Sequence, residues 1–236
     1  MVVLWDRREV LMPPDLDNTE RERLRCPNIV LEGIGTNVAC RRGVVPGAES
    51  MAELSSLADS IDATFGARQS TISGGNSGNL RWALSGADTG RIDDLRLGES
   101  ILLGRDPLDR QPISDLHTDA FSLTVEVIEW KVKPSLPWGE LAQSAFGSAA
   151  PLSDLGEILQ SILAIGHQDT DPLGLGPPPG IDVLGASSDH LIVDSGRDRL
   201  PVGAETTFQL NYSARVRAMT SPLVTKVTKD HGQPVR

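Results

Sequence analysis

The sequence predicts two successive architectures: an α/β unit with a parallel sheet over residues 1–110, then a β domain over 111–236. Three observations predict this. Strand and helix patterns alternate four times over roughly the first hundred residues, the signature of βα units. Beyond "RDPLDRQPISD" (105–115), strands with period-two patterning follow one another at short intervals. Prolines cluster between those later strands, in "KPSLPWG" and "GLGPPPG". Four units are too few to close an eight-stranded barrel, which takes about 200–250 residues.

In chain order, "VVLW" is short and β-branched, hence a buried strand. "DNTERERLRC" is helical, with Asn18 or Thr19 as the N-cap. "NIVLEGIGTN" is an apolar strand that ends in glycine-rich turn signals. "GAESMAELSSLADSIDATFG" spaces Met51, Leu54, Leu57, Ala58 and Ile61 at helical intervals and stops at Gly66, a residue suited to the left-handed C-terminal position. "RQSTIS" is the next strand, "NLRWALSG" a short helix, "IDDLRLG" a strand and "ESILLGRD" the start of a helical turn. In the second half, "FSLTVEVIEWKV" alternates, with Leu123, Val125 and Val127 on one face. "ILAIG", "IDVLGASSDHLIVD" and "TTFQLNYSARVRA" are further strands, and the tail "KDHGQPVR" is expected to fray.

Composition excludes several classes of function. The net charge is −10 and the pI about 4.8, which argues against a nucleic-acid groove and against docking on anionic lipid. No apolar run approaches the ~18–20 residues of a membrane span. The start, "MVVLWDRREV", lacks the pattern of a signal peptide. Two cysteines, Cys26 and Cys40, make neither a disulfide framework nor a zinc site, so a cytoplasmic protein with free thiols is expected.

Chemistry is expected where parallel strands end and helices begin. Two stretches there have the composition of anion cups. Ser73-Gly74-Gly75-Asn76-Ser77-Gly78 follows the strand "STI", and Arg96-Leu97-Gly98-Glu99-Ser100 follows "DDL". Glycine lets a backbone approach an anion closely, and a helix start points free N–H groups at it. Taken singly, such a stretch reads first as an ordinary turn and cap; two of them at successive strand ends make the anion reading its equal.

"NIVLEGIGTNVAC", "ISGGNSGNL", "DDLRLGESILLGRD", "ILAIGHQDTDPLG" and "VLGASSDHLIVD", in that order, resemble the alanine-racemase-like enzymes that use pyridoxal phosphate, and most closely the branch that includes ornithine racemase. The resemblance extends through "SARVRAMTSPLVTKV". It implies the C-terminal half of a pyridoxal-phosphate-binding (β/α)8 barrel, strands 5–8, followed by a β domain of the alanine racemase type. It also implies interconversion of L- and D-amino acids, a small amino-acid substrate, and a dimer in which each β domain closes the other subunit's site. By the same resemblance Asn76 and Ser77 meet the cofactor phosphate, Gly98 and Glu99 give it backbone N–H groups, and Arg96 faces the pyridine nitrogen. Asn37 stands where alanine racemases carry a histidine beside that arginine. Arg8, or Arg7 one register away, stands near an arginine that follows strand 5.

The sequence also departs from the family. The lysine that holds the cofactor lies on strand 1 in family members, whereas the four lysines here are Lys131, Lys133, Lys226 and Lys229. Trp5 and Val10 replace residues that tend to be small and glycine. The opposite-face tyrosine has no counterpart in "PWGELAQSAFG", and the single tyrosine, Tyr212, lies elsewhere. Covalent attachment of the cofactor is therefore not expected in this chain. The expectation is a truncated racemase, inactive without a partner half-barrel. The alternative is a non-catalytic phosphate-ester-binding or accessory subunit that pairs with a full-length racemase.

Three other constellations are set aside. "HQDTD" (167–171) lacks an evident fourth metal ligand and reads as a turn. "SSDH" (187–190) has triad residue types, but on a strand they would alternate faces. Cys40 reads as an inert buried thiol, and Lys131 and Lys133 as surface residues flanking Trp130.

Overall fold

The computed structural model describes residues 2–4, 11–39, 43–66, 68–140, 142–143, 145–146, 154–196 and 200–229. Arg7, Arg8, Trp5, Val10, Cys40 and the tail beyond Lys229 lie outside these residues. The chain divides into two compact units, Met1–Thr118 and Asp119–Arg236.

The first unit alternates strand and helix: β1 (Val2–Leu4), α1 (Leu16–Leu24), β2 (Gly33–Thr36), α2 (Ala48–Phe65), β3 (Thr71–Asn76), α3 (Leu80–Leu84), β4 (Asp94–Arg96) and α4 (Glu99–Leu103). The strands form one sheet in the order β1-β2-β3-β4, parallel throughout. Its outer face is apolar. Ile34 of β2 and Ile72 of β3 pack with Leu54, Ala58 and Ile61, the i, i+4, i+7 stripe of α2, and with Leu16 of α1. Gly66 closes α2 in the left-handed conformation, with φ 68°.

Local details differ from expectation for physical reasons. Asn18 and Thr19 do not cap α1. The helix is entered from a 3-10 turn at Pro13–Asp15, Asp15 takes the N-cap position, and the Thr19 hydroxyl donates back to the Asp15 carbonyl at 2.9 Å. The strand expected over "NIVLEGIGTN" exists only where neighbours pair with it, from Gly33 to Thr36; Ile29 and Val30 stay exposed. The strand expected to stop after "STI" continues through Gly74-Gly75-Asn76. Those two glycines serve packing. A Cβ on Gly74 would come within 2.7 Å of Ile92 Cγ2. One on Gly75, at φ 132°, would come within 2.5 Å of Asn79 Oδ1.

The second unit is an antiparallel sheet of six strands: β5 (Ser122–Pro134), β6 (Glu157–Leu163), β7 (Leu175–Gly176), β8 (Asp182–Ala186), β9 (Leu191–Asp194) and β10 (Glu205–Leu210). The spatial order is β7-β10-β5-β6-β9-β8, and helix α5 (Tyr212–Thr220) follows. As the alternation predicts, Leu123, Val125 and Val127 of β5 are buried, packing with Leu163, Leu191, Val193 and Phe208. "ILAIG" is not a strand of its own, since β6 ends at Leu163. "TTFQLNYSARVRA" is half strand and half helix. Asn211 caps α5, its side chain accepting from Ala214 N–H at 2.9 Å, and Ala214 and Ala218, four residues apart, face the core. Among the described residues no helix is long and apolar enough to cross a membrane.

Candidate functional site

Three strands of the first unit end side by side, and Asn37, Asn76, Ser77, Arg96, Gly98 and Glu99 lie at those ends, while Arg7 and Arg8 fall outside the described residues. Asn37 follows β2. Asn76 and Ser77 end β3 and open a 3-10 turn, Ser77–Asn79, that leads into α3. Arg96 ends β4, Gly98 caps α4 and Glu99 is its first residue. The parallel order β2-β3-β4 is what brings these sequence-distant residues to one edge.

Arg96 is half-buried and stitches the three strands together. Its Nη2 donates to the Thr36 carbonyl at 2.6 Å and its Nη1 to the Ser73 hydroxyl. A guanidinium can only donate, and these two partners, one on β2 and one on β3, fix its plane. A second stitch lies one step further along. Asn76 Nδ2 donates to Asn37 Oδ1 at 2.7 Å and to the Val38 carbonyl, while Asn76 Oδ1 accepts from Gly78 N–H at 2.9 Å. The Asn76 carboxamide thus caps the 3-10 turn and locks it to the end of β2.

Ser77 is where the two glycine-containing stretches meet. Its Oγ accepts from Gly98 N–H, Ser100 N–H and the Ser100 hydroxyl, each at 3.1 Å. A neutral hydroxyl oxygen has two lone pairs, so three donors converge on an oxygen that can fully satisfy two. Beside it, nothing lies within 4 Å of where a Gly98 Cβ would stand. Three donors thus meet at one oxygen, with open space beside Gly98.

The Glu99 side chain turns from the cup to Arg110, with which its Oε1 forms an ion pair. Burial pushes its carboxyl above the ordinary glutamate range, and Arg110 opposes the rise. Ser73 and Ser100 belong to the two cup-like stretches, but their hydrogen bonds, and that of the Thr36 carbonyl, depend on strand pairing that the sequence does not display. Arg110 gave no signal at all, because its pairing with Glu99 depends on the fold of the loop after α4.

The other constellations are engaged in structure. Asp169 accepts from the Ser221 hydroxyl at 2.6 Å, Asp171 caps a 3-10 turn, and His167 stacks on Phe146 at 4.0 Å. No metal-holding group of His, Cys, Asp or Glu occurs among the described residues. "SSDH" is the turn between β8 and β9, not a strand with alternating faces. Ser187 and Ser188 both donate to Asp189 Oδ1 at 3.1 Å, with His190 Nδ1 3.2 Å away. Lys131 and Lys133 both pair with Glu129.

No protein-family model matches the chain. Over 230 residues, 96% of its length, it is 38% identical to the ornithine racemase of Acetoanaerobium sticklandii and covers 65% of that protein. It is 35% identical over 229 residues to the lysine racemase of Thermotoga maritima and covers 64% of it. The chain therefore spans just under two thirds of the length of these curated relatives. Among solved structures, the alanine racemase of Bartonella henselae, with covalently bound pyridoxal phosphate, is similar at TM-score 0.58 and 14% identity, over 89% of this chain and 57% of that one. The alanine racemase of E. faecalis is similar at TM-score 0.58 and 15% identity, over 92% and 60%. At such identities the likeness speaks for the fold, while the curated relatives add sequence kinship. In sequence the chain is thus similar to the C-terminal part of ornithine and lysine racemases, and its fold is that of the corresponding part of the alanine racemases, half of the barrel followed by the β domain.

Proposed function

We propose that this chain carries the phosphate- and ring-nitrogen-binding side of a pyridoxal-phosphate amino-acid racemase. The observation that carries the reading is the set of three donors converging on Ser77 Oγ beside the Arg96 brace. The residues fit the cofactor's chemistry. A phosphate oxygen is a stronger acceptor than the serine hydroxyl that now receives Gly98 N–H and Ser100 N–H. Ser77 and the first-turn N–H groups of α4, with Glu99 first, then hold the phosphate, and Asn76 fixes the turn that presents Ser77. Arg96 commits one Nη1 hydrogen to Ser73 and one Nη2 hydrogen to Thr36, and Nε–H is one of the three N–H donors that these two bonds do not use. Aimed at a pyridine nitrogen, that donor leaves the nitrogen an unprotonated acceptor, because arginine does not give up its proton. Asn37 keeps the neighbouring strand end in register through Asn76. Pyridoxal phosphate, when bound, supplies the electron sink that makes an amino acid's α-proton removable and returnable.

The substrate class is a small amino acid, and the working form is a dimer in the cytoplasm, in keeping with the exposed free thiol of Cys26. All four lysines lie in the second unit, so the α/β unit has no side-chain amine of its own to hold the cofactor covalently. On this reading, and by resemblance to the family, the amine is supplied by polypeptide other than these residues, and racemisation needs that polypeptide. The same lysine distribution favours a second reading, a non-catalytic phosphate-ester-binding or accessory subunit that pairs with a full-length racemase.

The test is a titration with pyridoxal phosphate followed by tryptophan fluorescence, with inorganic phosphate as competitor. Chiral chromatography then measures racemisation of ornithine, lysine and alanine, with and without a full-length relative. Saturable binding that phosphate displaces and Ser77→Ala weakens supports the cofactor site. Binding that phosphate leaves untouched overturns it. Binding with no racemisation in any mixture favours the accessory reading.

A further inference from the structure

Between α4 and the end of the first unit lies a compact loop whose hydrogen bonds engage both sides of the cup. Its ends meet in a bridge between Arg105 and Pro112. Within it, Asp106 N–H donates to the Gln111 carbonyl and Arg110 N–H to the Asp106 carbonyl, each at 2.9 Å. Asp106 is buried; its Oδ1 accepts from Leu108 N–H at 2.8 Å and its Oδ2 lies 3.2 Å from Arg81 Nε. Arg81 belongs to α3, the helix entered from the Ser77 turn, and it also reaches Asp109 at 2.9 Å and the Pro112 carbonyl at 3.2 Å. On the other side the loop reaches α4 through the pair of Arg110 and Glu99.

That pair has an electrostatic reason to exist. Glu99 adjoins Gly98, whose N–H points into the cup. A carboxylate beside the Gly98 and Ser100 N–H groups repels an anion that would accept from them. The Glu99 side chain is only 14% exposed, so solvent screens it poorly, and the buried Asp106 adds a second negative charge nearby. Arg81 answers Asp106, and Arg110 answers Glu99.

We propose that Arg110 is a positioning residue for the anion site: it neutralises the Glu99 carboxylate at the rim of the cup and so keeps the cup receptive to a phosphate dianion. This rests on the cofactor reading above. The prediction is one of coupling. Removing Arg110 harms phosphate binding only while Glu99 is charged.

The experiment titrates the whole chain with inorganic phosphate and with pyridoxal 5′-phosphate, comparing wild type, R110A, R110K and R110A/E99Q, each first checked for folding by its melting transition. R110A is expected to bind both ligands about tenfold more weakly, the size of one uncompensated charge near the surface. R110K should retain most of the affinity, and R110A/E99Q should regain it. Equal loss in R110A and R110A/E99Q overturns the proposal, because a loop that merely props the cup would fail in both. Wild-type affinity in R110A overturns it too, while leaving the cofactor reading intact. Failure of wild type to bind either ligand overturns both. Should R110A melt before it can be titrated, the comparison of R110K with R110Q decides in its place: equal affinity of the two overturns the proposal.

Discussion

At the residue scale, Arg96 and Asp189 show how far a side chain's type and its neighbours determine its role. Arg96→Lys keeps a positive charge but cannot span Thr36 and Ser73 with a planar fork. It should lower the stability of the first unit by about 1–3 kcal/mol, the usual worth of hydrogen bonds to a charged group with their partners left unpaired. Urea unfolding of the two proteins checks this. Asp189 titrates below the ordinary aspartate value, because the Ser188 hydroxyl, then that of Ser187, hydrogen-bond its charged form and His190 adds a favourable charge. A lowered carboxyl contributes stability that is present above the ordinary aspartate range and is lost as pH falls through its folded value. The side-chain carboxyl resonance of Asp189 should therefore titrate below the ordinary range, and in Ser188→Ala its midpoint should move upward. Two glycine-containing stretches and, by resemblance, Asn37 were expected at one place, and Asn37, Asn76, Ser77, Arg96, Gly98 and Glu99 do gather at the strand ends. Their partners were not legible. Arg110 finds Glu99 only through the geometry of a loop, and nothing in the spacing of two residues eleven apart announces it.

At the scale of elements, α2 was the most legible part of the chain, since its apolar stripe and its terminal glycine point the same way. Leu54 sits fully buried in that stripe. Leu54→Ala should cost the first unit about 2–5 kcal/mol, through lost burial and the cavity left behind; thermal unfolding reads the loss. Helix α5 was the least legible. Its sequence follows a strand without a break, and Val216 and Tyr212 suit strands as well as helices. Only Asn211 marks the change, by accepting Ala214 N–H. Asn211→Ala should destabilise the second unit by about 1 kcal/mol. Circular dichroism during guanidinium unfolding would register it. The glycines after "STI" misled in a different way. Glycine-rich composition signals a loop, but close packing against Ile92 and Asn79 demands glycine just as firmly, and here it does so inside a strand.

At the scale of the whole molecule, each of the two units has a core of its own among the described residues. The cluster around Ile34 and Leu54 shares no residue with that around Val127 and Phe208. Damage to the first core should show within its own unit: in Leu54→Ala, hydrogen exchange should quicken in β2 and β3. The alternation of strand and helix, then of strand and turn, made this division legible, because each period reflects a different way of burying one face. What the periods cannot carry is how much of a barrel a parallel sheet belongs to. That came from kinship with longer racemases, of which this chain spans just under two thirds.

Arg110 stands at φ 63°, a left-handed conformation that glycine occupies freely and other residues rarely adopt. A residue held there for its charge sets stability against function. Arg110→Gly should relieve about 1 kcal/mol of backbone strain and forfeit a partly exposed ion pair worth no more than that. Melting temperature should then hold or rise while affinity for phosphate falls. Selection for robustness alone would drift toward glycine at this position, and selection for cofactor retention would hold the arginine against it.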